Sequence, residues 1–214
     1  MPDQDVRLQR LKLWLDEQLP ALFTAQDWGV VPPATLTAAS SDASFRRYFR
    51  WEGAGRTFIV MDAPPPQENC KPFVDIADLL GKSGINVPKI YAEDLTHGFL
   101  LLNDLGRKTY LDVINEENAD QLFADAFDAL LAYQQLPMDA PLPSYDVALL
   151  RRELELFPEW YVSRHLGIEM DAAQLAMWQR VSDRLIDSAL AQPKVLVHRD
   201  YMPRNLMLSE PNPG

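Results

Sequence analysis

The hydrophobic pattern of this chain changes its period once, near Gly106, and that change restricts the folds that the sequence can adopt. Before Gly106, aromatic and β-branched runs at 45–51 and 56–62 flank a Gly-containing turn, which indicates a β-hairpin. Residues 89–94 and 98–104 form a second pair of the same kind. After Gly106, apolar residues recur every three or four positions, as in an α-helix. The pattern therefore predicts an α+β fold, a mostly antiparallel sheet followed by a helical region.

The same pattern divides the chain into two lobes, residues 1–103 and residues 104–214. The first is predicted to be a sheet lobe and the second a helical lobe. Pro20 should end the first helix, because proline removes a backbone donor from a helix interior. Helices are predicted at 6–19, 73–82, 118–135, 145–165 with a break at Pro158, and after the capping residue Asp171, with short buried strands at 195–197 and 206–208.

The charge balance excludes several classes of function. The 214 residues contain 20 Lys and Arg against 31 Asp and Glu, a net charge of −11, which disfavours nucleic acid because its phosphates need a basic surface. No apolar run approaches the roughly 18 residues of a membrane span, and the amino terminus does not resemble a signal peptide. The single cysteine, Cys70, cannot form an internal disulfide. We expect a cytoplasmic monomer that binds neither nucleic acid nor membrane.

The strongest chemical signal is the segment VLVHRDYMPRNLML, residues 195–208, in which a polar stretch lies between two apolar triplets. Phosphoryl transfer uses a carboxylate to accept the proton of the acceptor hydroxyl and an amide oxygen to help hold magnesium. Asp200 and Asn205 provide these two groups on one loop. We predict Asp200 as the catalytic base, Asn205 as a metal ligand and His198 as a catalytic residue that supports the loop by hydrogen bonds. The predicted cofactors are ATP and Mg²⁺.

Segments from both lobes carry a family resemblance: SSDASFRRYFRW, VMDAPPPQE, LLLNDLG, ELELFPEWYV and HRDYMPRNLM. The chain resembles the aminoglycoside phosphotransferase and choline kinase branch of the bilobal protein-kinase-like fold, in which a sheet lobe and a helical lobe clamp ATP. Within that branch it is similar to the bacterial cell-wall amino-sugar kinases. This likeness implies ATP-dependent phosphorylation of the anomeric (C1) hydroxyl of N-acetylmuramic acid and N-acetylglucosamine during peptidoglycan recycling.

The resemblance also implies a set of nucleotide-binding residues. The Asn103 carbonyl and the Leu105 amide, in the linker between the lobes, would pair with the adenine edge. Arg46 would join the same site. A loop that covers the phosphates is expected to contain no glycine, so that its hydroxyl groups must assist the backbone amides. The residues of this loop are Ser40, Ser41, Asp42, Ala43 and Ser44.

Two features depart from the family pattern. The lysine that normally pairs with the α- and β-phosphates is replaced by Met61 or Asp62. Our hypothesis is that Arg46 or Arg47 supplies the missing charge, since an acid would repel phosphate. The family's further magnesium-binding aspartate, expected soon after the catalytic loop, does not occur before Gly214. The sequence is therefore expected to be a fragment that binds metal-nucleotide poorly and turns over little.

Three residues are candidate contacts for the acceptor sugar: Glu153, Trp160 and Arg204. Tryptophan can stack on a pyranose face and glutamate can accept hydrogen bonds from its hydroxyls, although core packing is the more common role for Trp160. Two other functions stay open. One is a kinase for an amino alcohol or aminoglycoside, which the acidic charge favours. The other is a non-catalytic kinase-like nucleotide-binding module, which the two departures favour.

Overall fold

The computed structural model describes residues 2–41, 45–136 and 142–209, with side chains described from residue 6 onward except at 40 and 41. The chain divides into two compact units. The first comprises Met1–Tyr133 and Asp200–Gly214, and the second comprises Gln134–Arg199. The lobe boundary between Asn103 and Asp104 falls inside the first unit and stays a prediction. The combination of a sheet with helices confirms the predicted α+β class.

A five-stranded sheet forms the centre of the first unit, and all its neighbouring strands are antiparallel. The strands are β1 Thr35–Ser41, β2 Arg47–Gly53, β3 Arg56–Asp62, β4 Ile90–Asp94 and β5 Phe99–Asn103. Their order across the sheet is β1-β2-β3-β5-β4. Both predicted hairpins, β2–β3 and β4–β5, are confirmed. Strand β1 has no counterpart in the sequence-based prediction, because four of its seven residues are alanine or serine and none is aromatic.

Helix α1, Pro2–Ala25, covers one face of this sheet. The packed residues are Leu11, Leu15, Leu19 and Phe23 of the helix with Trp51, Phe58, Val60 and Leu101 of the sheet. The prediction that Pro20 ends the helix is wrong, since the helix continues to Ala25 and buries Phe23. Because Pro20 is exposed, water can hydrate the helix carbonyl that proline leaves without a donor.

Alternation along β3 sends neighbouring side chains to opposite faces of the sheet. Val60 belongs to the cluster under α1, whereas Met61 belongs to the cluster under α2, Lys71–Lys82, a helix that the sequence predicted. Asp62 is fully buried and accepts a hydrogen bond from Arg7 of α1. The two residues at the expected lysine position therefore face opposite sides of the sheet, Met61 toward α2 and Asp62 toward α1.

Two helices follow the sheet, α3 Tyr110–Val113 and α4 Ala119–Gln134, and the second confirms the predicted helix at 118–135. The strands predicted at 195–197 and 206–208 are wrong, because neither segment forms a strand in the described structure. Met207 instead makes one isolated bridge to Thr109. An extended segment becomes a strand only where a neighbour offers a ladder of partners, and here a single pair provides the contact.

The described part of the second unit is helical. It contains α5 Val147–Leu156, a π-helix at Phe157–His165, and α6 Ala172–Leu190. The predicted break at Pro158 coincides with the change from α- to π-helix, and Asp171 caps α6 by accepting from the Gln174 amide, as predicted. None of the helices in the described ranges combines the length and apolar character that crossing a bilayer requires.

Candidate active site

The loop that carries Asp200 and Asn205 brings these two residues into direct contact. The Asn205 amide nitrogen donates to the Asp200 carboxylate over 2.8 Å and to the Asp200 backbone carbonyl over 2.9 Å. A short 3-10 turn, Pro203–Asn205, produces this contact, and the Asn205 backbone amide closes it by donating to Met202 over 2.8 Å. Both side chains are exposed. Because the nitrogen of Asn205 points to Asp200, its Oδ1 is the side of the amide that can face a cation.

The segment after Asn205 is bonded to the segment that precedes α3. The amide of Tyr110 donates to the carbonyl of Leu206 over 2.8 Å, and the amide of Leu208 donates to the carbonyl of Lys108 over 2.9 Å. The Tyr201 hydroxyl donates to the carbonyl of Ala126 in α4 over 2.5 Å. Burial raises the pKa of Tyr201, with a smaller contribution from Tyr110, so its hydroxyl stays protonated and keeps donating. These bonds hold the loop of Asp200 and Asn205 on the framework of the first unit.

The linker after β5 is held by its own side chains. The Asn103 amide donates to the carbonyl of Lys89 over 2.9 Å, and the Asn103 side-chain oxygen accepts from the Lys89 amide over 2.7 Å. Asp104 follows and forms a two-pronged ion pair with Arg50 of β2, with Nε to Oδ2 at 2.6 Å and Nη2 to Oδ1 at 3.0 Å. The Asp104 carboxylate also accepts from the Gly106 amide over 3.0 Å. The two linker residues expected to contact adenine, Asn103 and Leu105, therefore flank a fixed aspartate.

The electrostatics of Asp104 follow from these contacts. Burial tends to raise the pKa of Asp104, but hydrogen bonds from Arg50, the Gly106 amide and Thr57 outweigh it, so that the pKa lies below its ordinary value. The hydrogen bond to Asp104 raises the pKa of Arg50 against the opposing effect of burial. Both groups are therefore charged at neutral pH, although their side chains are only 8% and 5% exposed.

The residues predicted to bind the phosphates are only partly described. Ser40 and Ser41 end β1, whereas Asp42, Ala43 and Ser44 lie outside the described residues. Arg46 follows this loop and is paired with Glu68, which lies shortly before α2, over 3.0 Å. That ion pair holds Arg46 next to the segment that precedes α2.

The other arginine considered for the lysine's role, Arg47, faces α1. Its Nε donates to Asp62 over 3.0 Å, and the Nε of Arg7 donates to the other oxygen of Asp62 over 3.1 Å. Two guanidinium groups thus neutralise the buried carboxylate of Asp62. The acid that stands near the expected lysine position is consequently not directed at the α2 face, where Met61 lies.

The candidate sugar contacts occupy different environments. Glu153 of α5 is paired with Arg199 and accepts from the Tyr145 hydroxyl over 3.2 Å. Trp160 is half exposed in the π-helix, and the Arg164 guanidinium lies 3.9 Å from the centre of its ring. Arg204 is exposed in the turn that precedes Asn205, and His198 is exposed at the end of the second unit. The core role considered for Trp160 does not agree with this exposure in the described structure.

Sequence reasoning missed two groups of contacts. One is the pairing of Arg50 with Asp104, and the other is the pairing of Glu153 with Arg199, which has a positive φ of 74°. The partners are separated by 54 and 46 residues, respectively. No local pattern links residues so far apart, so only the composition of the arginine-rich β2 offered a signal.

The oxygen ligands present are compatible with a magnesium nucleotide. Among the described residues, no group of three or more His, Cys, Asp and Glu side chains could hold a metal ion by itself. Mg²⁺ commonly binds through one or two protein oxygens, substrate phosphates and water. The amide oxygen of Asn205 beside the carboxylate of Asp200 provides such a partial ligand set.

The first comparison with known proteins defines the class of this chain. Residues 35–214 match the family described as phosphotransferase enzyme family, APH. Because this match covers most of the 214-residue chain, the chain belongs to the phosphotransferase enzyme family. Its structure is similar to that of an aminoglycoside-3'-phosphotransferase of type VIII, with a TM-score of 0.53 at 18% identity over 91% of this chain and 72% of that chain. This likeness confirms the predicted kinase-like fold.

The second comparison concerns relatives in sequence. The chain is 72% identical over 214 residues to an N-acetylmuramate/N-acetylglucosamine kinase of Pseudomonas putida, and the match covers 100% of this chain and 63% of the relative. It is 63% identical over 210 residues to a protein of the same name from Pseudomonas aeruginosa, and this match covers 98% of this chain and 62% of the relative. The chain thus spans a little less than two thirds of the length of these relatives. The resemblance to bacterial amino-sugar kinases that the sequence motifs indicated is confirmed.

Proposed function

We propose that this protein transfers the γ-phosphoryl group of ATP to the anomeric hydroxyl of N-acetylmuramic acid or N-acetylglucosamine. The observation that carries the proposal is the contact between Asn205 and Asp200, which joins a candidate metal ligand to a candidate base on one loop. The names of the relatives from two Pseudomonas species support the choice of acceptor. The cytoplasmic location and the monomeric state remain predictions from the sequence.

Asp200 is proposed as the general base. Its exposed carboxylate can accept the proton of a sugar hydroxyl while that oxygen attacks phosphorus. An anomeric hydroxyl is more acidic than an ordinary sugar alcohol, so its deprotonation needs less help from a base. The bond from Asn205 fixes the orientation of the carboxylate before the acceptor binds. His198, two residues earlier in the chain, is proposed to support the loop.

The nucleotide is proposed to bind along the first unit. When bound, Mg²⁺ would neutralise charge on the phosphates, and the Oδ1 atom of Asn205 is the oxygen that would hold it. The Asn103 carbonyl and the Leu105 amide would recognise the adenine edge. Arg46 is the better of the two candidate arginines for the phosphates because Arg47 faces α1, although both are already paired, Arg46 with Glu68 and Arg47 with Asp62.

The two proposed acceptors differ by a lactyl carboxylate, which N-acetylmuramic acid carries and N-acetylglucosamine lacks. Arg204 is an exposed cation in the catalytic loop and has the charge to pair with that carboxylate. Trp160 presents a half-exposed ring, and such a ring can stack on a pyranose. Glu153 is already paired with Arg199, so its contact with the sugar hydroxyls would use the remaining lone pairs of its carboxylate.

The proposal is tested by measuring ADP release from Mg-ATP with N-acetylmuramic acid as the acceptor. Asp200→Asn should lower kcat by about 100-fold to 10,000-fold, because it removes the base and retains the side-chain shape. Asp128→Asn, at an exposed position of α4, is the matched control and should leave the rate unchanged. Turnover that requires an aminoglycoside or amino alcohol would instead support that class of kinase. An Asp200→Asn protein with full activity would exclude Asp200 as the base.

A further inference from the structure

The ion pair between Arg50 and Asp104 connects strand β2 to the linker after β5. The arginine projects from β2 and the aspartate lies in the linker, so the pair ties the sheet to the segment proposed to bind adenine. The guanidinium and carboxylate form two hydrogen bonds, of 2.6 and 3.0 Å, which fix orientation as well as distance. Both groups are almost fully buried.

The same two side chains also hold the backbone of the linker. The Nη2 atom of Arg50 donates to the Gly106 carbonyl over 2.7 Å, and the Gly106 amide donates to Asp104 over 3.0 Å. Gly106 has a φ of 105°, a left-handed conformation that other residues adopt only with strain. The turn from Asp104 to Gly106 is therefore fixed at both ends by a single charged cluster.

The far end of the linker is anchored separately. Lys108 and Tyr110 bond to the backbone of Leu208 and Leu206, which follow the catalytic loop. Loss of the Arg50 contact would consequently free residues 104–106, while Asn103 stays bonded to Lys89 and the pairing of 108–110 stays in place. A defect confined to 104–106 would affect the base of the nucleotide rather than its phosphates.

We propose that Arg50 and Asp104 are positioning residues that set the adenine-binding edge of the linker, Asn103 to Leu105, and so determine affinity for the nucleotide base. The inference rests on the proposed nucleotide-dependent function. Arg50 acts through Asp104 and the linker backbone, without touching the nucleotide. Lysine cannot replace it, because a single ammonium group cannot reproduce the two parallel bonds of the guanidinium.

The test compares two ligands that share phosphates but differ in the base. Dissociation constants for Mg-ATP and for magnesium tripolyphosphate are measured by calorimetry on the protein and on Arg50→Lys. Arg50→Lys should weaken ATP binding about tenfold and leave tripolyphosphate binding unchanged. Arg10→Lys, at an exposed position of α1, is the control for the same change of side chain and should change neither constant. If Arg50→Lys does not fold, Asp104→Asn takes its place.

Each other outcome overturns the inference. Equal weakening of both ligands would show a general structural role for the pair. If the wild type binds ATP more tightly than tripolyphosphate and Arg50→Lys binds ATP as tightly as the wild type does, the linker is positioned without Arg50. A wild-type protein with no preference for ATP over tripolyphosphate would refute the proposed adenine site, and the inference with it.

Discussion

The buried carboxylate of Asp62 provides the sharpest prediction about stability. Asp62 is fully buried, and it holds Arg7 of α1 and Arg47 of β2, whose side chains are 23% and 27% exposed. Asp62→Asn retains the volume but removes the charge and one acceptor oxygen. Breaking a buried ion pair by removing one partner typically costs about 3–5 kcal/mol. Because both arginines retain some access to water, we expect the lower end of this range, about 3 kcal/mol.

A loss of that size is readily measured by thermal unfolding followed by circular dichroism at 222 nm. For a chain of this length, it corresponds to a fall in Tm of roughly 6–12 °C. Asp16→Asn, at an exposed position of α1, is the control and should change the free energy of unfolding by less than about 0.5 kcal/mol.

A triple variant separates unpaired charge from poor packing. Arg7→Met, Arg47→Met and Asp62→Leu together remove every charge of the cluster, and apolar replacement of a buried ion-pair cluster is often neutral or stabilising. The triple variant should therefore recover most of the Tm lost in Asp62→Asn. A Tm for Asp62→Asn within about 2 °C of the wild type, or a triple variant no better than the single one, would refute the argument.

Three further predictions follow from the site. Arg204→Ala should raise the KM for N-acetylmuramic acid about tenfold in steady-state kinetics and leave that for N-acetylglucosamine unchanged; equal rises would contradict a contact with the lactyl carboxylate. Arg46→Ala should weaken Mg-ATP binding about tenfold in calorimetry, whereas Arg47→Ala should mainly lower Tm; the reverse pattern would exchange their roles. The pKa of Asp104 lies below its ordinary value of 3.8, so its contribution to stability is complete above that pH and is lost as pH falls through the lowered pKa. Asp104→Asn should therefore lose stability at neutral pH and show a shallower acid decline in urea unfolding; an unchanged acid slope would contradict this sign.

The parts of the fold that could be predicted from the sequence are those with local signals. The β2–β3 hairpin has strands rich in aromatic and β-branched residues around a Gly-containing turn, and Asp171 has its capping partner three residues later. The contact between Asp200 and Asn205 is also local, since one short turn brings the two residues together. Their proposed roles in catalysis remain predictions.

The errors arose where distant partners decide local structure. Burial of Phe23 carries α1 past Pro20, although proline would end an isolated helix. The apolar run at 206–208 has the composition of a strand. In the described structure it forms an isolated bridge, between Met207 and Thr109, and no strand. Asp62 lies 55 residues from Arg7, so the sequence showed an acid near an expected phosphate site and gave no sign that two arginines neutralise it.

The central claim is that the acceptor oxygen is the one on the anomeric carbon. Phosphorus-31 NMR of the protein with Mg-ATP and N-acetylmuramic acid tests it directly. We expect a new sugar-phosphate signal that grows with ADP and is split by coupling to the anomeric proton. A phosphate signal coupled to protons of another carbon, or ADP that forms at the same rate without the sugar, would contradict it.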